Sequence, residues 1–444
     1  MKSDNIAAIS TGLTVSGVAV IRISGDSPLS VAEKVFSPKG KRAVKDFEPN
    51  KMYVGEIAGE GFTDFGMCVY FKAPKSFTGE DTVELHFHGG VAIAKGVLEK
   101  VLGSGARLAN NGEFTKRAFM NGKLSLSSAE GLIDMINGES AAAVRAGYYL
   151  YREKLTEEVR ALQDILLDAL SGIDVDMDFP EENLEKTTEE SLRVSLKEVI
   201  ERIERLISSY KTGRVIKNGV KVAIVGKPNA GKSSLLNALL NYDKAIVSDI
   251  PGTTRDVVEG AIDIDGIRFE FSDTAGIREK ADGIEEIGVS LSKKTILSSD
   301  LILFVADAGN YGEDDEKIRS LINGKNALTV INKIDACDKK YDFADVYVSA
   351  KEKTNIDGLR DKIFTAVLGK CDLSGDFLCE ERHYDALVRA ENALTDAFNN
   401  INATPFDILA IDVKAGWDAL GEITGLTATE EIIDNIFKKF CVGK

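Results

Sequence analysis

The chain has 444 residues, 44% of them hydrophobic, with 55 Lys and Arg against 71 Asp and Glu, a net charge of −16. That length calls for two to four domains with substantial cores. The acidic balance excludes a protein whose whole surface grips nucleic acid, so any RNA contact is local or made through a partner. The cysteines (Cys68, Cys337, Cys371, Cys379, Cys441) are scattered, odd in number and contain no CxxC pair. Neither a zinc site nor a disulfide framework is indicated, and a reduced cytoplasmic setting is expected. No signal-peptide pattern opens the chain and no apolar run reaches the roughly 18 residues of a spanning helix, so no membrane segment is expected.

Residues 1–118 read as mixed α+β. Val18–Ile23, Met52–Ile57, Gly66–Phe71 and Thr82–Phe87 are strand-like, Ser30–Phe36 reads as a short helix, and Val91–Leu102 is a helix bracketed by Gly89-Gly90 and Gly103. His86 and His88 alternate along one strand; with no third ligand at a metal-site spacing they read as strand-end histidines. From Phe119 to about Lys211 the pattern is helical, with Leu155, Val159, Leu162, Ile165, Leu166 and Ala169 at spacings of three and four. Asp174–Glu182 interrupts it. Its alternating acids lack the glycine and terminal glutamate of a calcium loop, so it reads as a solvated turn closed by Pro180. Lys211–Gly219 and Cys371–Asp376 read as two joints. Arg382–Asn400, Phe406–Thr424 and Thr429–Phe440 are helical again. The expected fold is multidomain: an α+β N-terminal domain (1–118), an all-α domain in two pieces (119–216 and 371–444), and an inserted α/β P-loop domain of Ras-like type (217–370).

The inserted domain carries the chemistry. The β-branched run Val220–Val225 ends in Gly226-x-x-x-x-Gly231-Lys232-Ser233, and Leu235–Leu240 opens a helix. This is the P-loop pattern in its strand–loop–helix setting. Its glycines let backbone N–H groups, including those of Asn229 and Ala230, converge on phosphate oxygens at a positive helix end. Lys232 should reach the β/γ-phosphates, and Ser233 should ligate Mg²⁺. In Asn332-Lys333-Ile334-Asp335, the Asp335 carboxylate can accept two parallel hydrogen bonds from guanine, a donor pair that adenine lacks. Ser349-Ala350 resembles the second base-contact loop. Asp273-Thr274-Ala275-Gly276 follows a strand, Asp273 holding Mg²⁺ through water and Gly276 sensing the γ-phosphate. Thr254 is the candidate switch threonine on Mg²⁺. All four motifs in order point to a GTPase. The position after the DxxG glycine is Ile277, which cannot orient water as a glutamine does. Asn229 has a side-chain oxygen suited to a monovalent cation near the β/γ bridge, with carbonyls of the 248–253 loop completing the shell. Glu285 is a candidate for orienting the attacking water.

These motifs together resemble the bacterial tRNA-modification GTPases known as MnmE or TrmE. The resemblance extends to Val20–Gly25, Ser76–Asp81, His88–Gly90, Gly112–Phe119, Asn121–Leu124, Asp178–Glu181 and the ending Phe440-Cys441-Val442-Gly443-Lys444. It implies an N-terminal domain that forms the homodimer and binds 5-formyl- or 5,10-methylene-tetrahydrofolate. It further implies a FAD-dependent partner of MnmG type forming a heterotetramer, and K⁺-activated GTP hydrolysis in the cytoplasm. The implied reaction installs an aminomethyl or carboxymethylaminomethyl group at C5 of the wobble uridine (U34) of certain tRNAs. By motif match it assigns K⁺ to Asn229, Ser248, Ile250 and Thr253, and Mg²⁺ to Ser233 and Thr254. It makes Glu285 catalytic, places Arg22, Glu80, Lys123 and Lys444 at the folate, and marks Cys441 as a candidate functional thiol. The loop Ser10–Gly17 departs from the family's Pro/Gly-rich pattern. The alternative, a ribosome-assembly GTPase of the Era or Der kind, accounts for residues 217–370 alone and predicts a basic RNA-binding appendage that the composition does not offer.

Overall fold

The computed structural model describes residues 4–178, 189–241, 260–273, 296–369, 375 and 377–444, with backbone only at 176–178 and 273. The chain divides into two compact units. One comprises Met1–Ile133, Tyr149–Glu201 and Ala386–Lys444; the other comprises Asp134–Tyr148 and Arg202–Asp385.

The first unit begins with a seven-stranded sheet. Its strands are β1 (Ile6–Ile9), β2 (Ser16–Gly25), β3 (Phe36–Pro38), β4 (Met52–Gly59), β5 (Phe62–Phe71), β6 (Asp81–Gly89) and β7 (Arg107–Leu108), in the order β3-β4-β5-β6-β2-β1-β7. All pairs are antiparallel except β1–β7. Ile21, Ile23, Val83 and Leu85 alternate inward, and α1 (Pro28–Ala32) and α2 (Val91–Leu102) contribute Val31, Val97 and Val101 to the same core. Removing such side chains from water is the main drive for the sheet to fold. Strand β1 was not foreseen: Ile6-Ala-Ala-Ile is four residues long with no polar alternation, because Ile6, Ala7 and Ala8 are all fully buried.

The further helices of this unit, among the described residues, are α3 (Glu113–Met120), α4 (Leu126–Asn137, to Ile133), α6 (Lys154–Asp178), the first part of α7 (Glu189–Asn218), the helix Glu381–Asn400 from Ala386 on, and the last two of the chain. The intervening α5 (Ala141–Tyr151) belongs mainly to the second unit. Leu155, Val159, Leu162 and Leu166 are buried at helical spacing, as expected. The acidic stretch departs from expectation, since α6 continues through Asp178 instead of turning at Asp174. Ile173 is still buried, and no proline or glycine falls between it and Asp178. Thr429 caps the last helix with its side chain, and that helix buries Ile436 and Phe437 beside Leu126 and Ala129.

The second unit holds a six-stranded sheet, β13-β12-β11-β8-β10-β9, parallel except for β9. Its strands are β8 (Val220–Val225), β9 (Gly260–Ile264), β10 (Ile267–Asp273), β11 (Leu301–Asp307), β12 (Ala327–Asn332) and β13 (Val346–Tyr347). Two apolar clusters cover its two faces. Val220, Val222 and Ile224 lie in one with Leu235 and Leu239 of α8 (Lys232–Leu240), and Ala223 and Val225 lie in the other with Phe304. Burial on both faces explains why these strands read as unbroken apolar runs. Asp265-Gly266, both at positive φ, closes the β9–β10 hairpin.

The expected joint at Lys211–Gly219 is helix instead, because α7 runs to Asn218. Gly213 does not break it. A Cβ there would meet the Leu378 carbonyl at 2.0 Å, so this glycine permits close packing. The break comes at Gly219, at φ +71. At this end of α7, Lys217 pairs with Asp134 (2.8 Å) and with Glu380, both carboxylates being largely buried. Burial, followed by the hydrogen bond and repulsion from Glu380, pushes the Asp134 carboxyl up to about 8 against the pull of Lys217. Burial alone would lower Lys217, but Glu380 and Asp134 hold it above the usual lysine value. Two carboxylates on one ammonium thus share a proton.

The sign of the linkage follows. The folded state holds a proton that the unfolded chain, with Asp134 near 3.8, has released. This stability is therefore fully present below that value and is lost as pH rises through about 8, with a slope of at most about 1.4 kcal/mol per pH unit. Asp134→Asn should flatten the pH dependence of the urea midpoint between pH 5 and 8. An unchanged slope would place the proton elsewhere.

Candidate nucleotide site

The P-loop lies at the carboxyl ends of the parallel strands, between β8 and α8, where open α/β sheets bind ligands. Its backbone is unusual at three points. Gly226 has φ +155, Asn229 φ +64 and Gly231 φ +91. A Cβ at Gly226 would meet the Val305 carbonyl of β11 at 2.2 Å, and one at Gly231 would meet Asn332 Nδ2 at 2.3 Å. Glycine is therefore required at both ends by space as well as by conformation. Lys232 is buried, and its Nζ donates to the carbonyls of Gly226 and Lys227, both at 3.0 Å. Ser233 is exposed in the first turn of α8.

The segment after β12 braces this loop. Buried Asn332 donates from Nδ2 to the Ala230 carbonyl (3.1 Å), while its Oδ1 accepts from the N–H groups of Lys333 (2.8 Å) and Ala350 (3.0 Å). Lys333, itself at φ +65, donates to the Asn229 carbonyl (2.7 Å) and to Asp307 (2.8 Å). Against burial, that Lys333 bond holds the Asp307 carboxyl below its usual range. Ser349 donates from Oγ to Asp335 Oδ1 at 2.5 Å, and this hydrogen bond lowers the Asp335 carboxyl. An exposed, ionised Asp335 presents the acceptor that a guanine edge requires. The structure thus brings together Gly226, Asn229, Ala230, Gly231, Lys232, Asn332, Lys333, Asp335, Ser349 and Ala350. Asp273 ends β10 opposite Ile224 of β8. Ser248, Ile250, Thr253, Thr254, Thr274, Ala275, Gly276, Ile277 and Glu285 lie outside the described residues.

A second polar cluster occupies the seven-stranded unit. Arg22 donates to Glu84 (2.9 Å) and lies over the rings of Phe77 and Phe114 at 5.1 and 5.8 Å. Burial alone would raise Glu84, but His86 and Arg22 hold it below its usual range. Glu80 accepts from Ser24 (2.9 Å) and from Arg117 (3.1 Å). Lys123 packs its stem beside Gly79 and donates to the Pro74 carbonyl (3.0 Å). The terminal segment closes nearby. Val442 bridges Asn111, and a Cβ at Gly443 would meet the Ile9 carbonyl of β1 at 2.2 Å. Cys441 is exposed, and the amide of Lys444 donates to the Cys441 carbonyl (3.4 Å). His88 pairs with Asp64 at 2.7 Å. Sequence reasoning missed Arg117 and Glu84, although the Glu113–Arg117 spacing of four on a helix was a usable signal.

A sheet with this P-loop, the NKxD bracing and a guanine acceptor defines a P-loop GTPase, here in a chain that also carries an α+β and helical unit. The family model of the GTP-binding protein TrmE N-terminus matches residues 5–123, and that of the MnmE helical domain matches residues 126–441. The tRNA modification GTPase MnmE of Thermoanaerobacter pseudethanolicus is 39% identical over 461 aligned positions, covering 100% of both chains. That of Clostridioides difficile is 38% identical, covering 99% of each. Among solved structures, a variant of Aquifex aeolicus Era bound to GDP and aluminium fluoride is 31% identical. It covers 39% of this chain and 66% of that one with a TM-score of 0.27. The chain belongs to the MnmE (TrmE) family of tRNA modification GTPases, and it is a GTP hydrolase.

Asn332→Ala strands the Ala350 N–H and the Ala230 carbonyl in a buried setting. It should lower stability by about 2–4 kcal/mol, read as a drop in the urea midpoint without nucleotide. A midpoint within error of the parent would show the brace to be dispensable for folding.

Proposed function

We propose that this GTPase couples K⁺-activated GTP hydrolysis to modification of tRNA. With a FAD-dependent partner it would install (carboxymethyl)aminomethyl at C5 of the wobble uridine (U34), drawing the one-carbon unit from a tetrahydrofolate. The observation that carries this reading is the end-to-end match, at 39% identity, to relatives named for tRNA modification. The division we propose is a folate-binding and dimerising part (1–118), a helical part (119–216 and 371–444) and a GTPase part (217–370). Two copies would meet through the first, and the assembly with the flavin-bearing partner is a heterotetramer in the cytoplasm.

The donor chemistry fits the groups invoked. Ser233 offers a hydroxyl at the foot of the P-loop helix, and with Thr254 and Asp273 it would form the hard-oxygen set that Mg²⁺ selects. Asn229 is exposed at φ +64 with its carbonyl engaged by Lys333. That leaves its amide oxygen for K⁺, with Ser248, Ile250 and Thr253. Such a cation supplies positive charge toward the β/γ bridge when bound. Ile277 cannot orient water, so Glu285 takes that role. In the N-terminal part, Arg22, Glu80, Lys123 and Lys444 would hold the folate. A carboxylate pairs with the guanidine-like pterin edge, and basic groups pair with the glutamate tail. Cys441, exposed on the terminal segment, is the candidate thiol.

Nucleoside mass spectrometry of bulk tRNA with and without the gene tests the reading. Loss of aminomethyl-type uridines supports it. An unchanged profile with accumulating ribosome precursors would replace it with an assembly role. Turnover at saturating GTP should be at least about tenfold faster in K⁺ than in Na⁺ at equal ionic strength, the rate equivalent of about 1.4 kcal/mol. Equal rates would remove the cation from the proposal.

A further inference from the structure

The P-loop is fixed from three directions, and only two of them come from the base-reading motif. Asn332 holds the Ala230 carbonyl and Lys333 holds the Asn229 carbonyl. The third hold is Lys227, the residue after Gly226. Its backbone belongs to the cradle, since its carbonyl accepts from Lys232 Nζ (3.0 Å) and from the Ala230 N–H (3.3 Å). Its side chain points the other way. Nζ donates to the Asn310 carbonyl (2.7 Å) and pairs with Asp315 Oδ2 (2.6 Å).

Asp315 is an unusual partner. Its side chain is 0% exposed, against 19% for Lys227. Oδ2 also accepts from the Gly312 N–H (2.9 Å), as part of the box that starts the helix Glu313–Leu321. Oδ1 is buried with no hydrogen-bond partner among the described residues. A buried carboxylate satisfied on one oxygen only is costly unless a charge compensates it. Lys227 is the cation placed to do so. The pair therefore does more than decorate the surface: it pins the first turn of the P-loop to the segment after β11.

We propose that Lys227 is a positioning residue for GTP, holding the P-loop in its phosphate-receiving conformation by its buried pairing with Asp315 without touching the nucleotide. This rests on the P-loop being the GTP site. That reading fails separately, before any variant is compared, if the parent protein does not bind fluorescent GDP.

The test is a double-mutant cycle in the full chain, reading dissociation of fluorescent GDP and the KM and kcat for GTP. Lys227→Met and Asp315→Asn should each speed GDP release and raise KM by about 10- to 100-fold, the scale on which a loosened site loses positioning, with kcat changed much less. Asparagine keeps an acceptor for the Gly312 N–H, so the helix start survives. Asp315→Ser, which is smaller and still capping, replaces it if that variant does not fold. The double variant should be no worse than the more impaired single one, and Lys227→Arg should restore slow release. Slow release in the Asp315 variants with fast release in Lys227→Met would mean that Lys227 touches the ligand directly. Additive losses, or a lower Tm with unchanged release, would equally overturn the proposal.

Discussion

The nucleotide site depends on a stretch of backbone that few residues can adopt. Between Gly226 and Gly231, three of six residues hold positive φ, and one of them, Asn229, is not glycine. Such conformations persist only where their surroundings over-determine them. Here the surroundings are specific: the Val305 carbonyl against Gly226, Asn332 against Gly231 and Ala230, and Lys333 against Asn229. The loop's backbone dipoles are thus held in place without a ligand, and fixed dipoles need no reorganisation on binding. Asn332 and Lys333, which hold the loop, belong to the same short segment that presents Asp335, so the two motifs form one hydrogen-bonded body.

What allows such a loop to be held is the sheet beneath it. Apolar side chains seal both faces of β8 and β11, so the strands that deliver the loop are anchored along their length and only their carboxyl ends are free to be irregular. The seven-stranded sheet is built differently. Its polar cluster, centred on Arg22, Glu84, Glu80 and Arg117, sits among phenylalanine rings, and each carboxylate is matched by a guanidinium. Charge pairing in a partly buried setting favours a planar, fork-shaped partner over a compact ammonium. This explains why arginines occupy the inner positions and Lys123 sits at the exposed edge.

Much of this was legible in the sequence where the chemistry demands particular residues. The strand–loop–helix of the P-loop, the NKxD and Ser349 segments and the boundaries of Val91–Leu102 follow directly from pattern. Other features were not. Strand β1 has no alternation because both its faces are buried. The stretch Lys211–Gly219 read as a joint, yet its Gly213 serves packing, a role visible only once Leu378 is in place. The acids at 174–178 resembled a loop because their spacing of two suggests turns, yet the helix only needs its buried side to continue. Lys227 was one of the unspecified positions of a motif, and its partner lies 88 positions away, beyond any local signal. The Asp265-Gly266 hairpin carried a readable turn signature that was passed over.

The contact of Gly443 with the carbonyl of Ile9 joins the two extremes of the described chain. That one contact therefore cannot form until nearly all of the described chain has been made. The sheet of the second unit has all its described strands by Tyr347, and the helix Ile356–Leu368 adds Leu359 and Ile363 to its core soon after, while later residues are still being made. In the first unit β1 is paired by β2 and β7 and packed by Phe114, and only the close approach of Gly443 to Ile9 waits for the last described residues. A nascent chain of this kind carries one finished module between the halves of an unfinished one. By loop-closure entropy the approach of Gly443 to Ile9 carries one of the largest closure costs in the chain until the residues between them have folded.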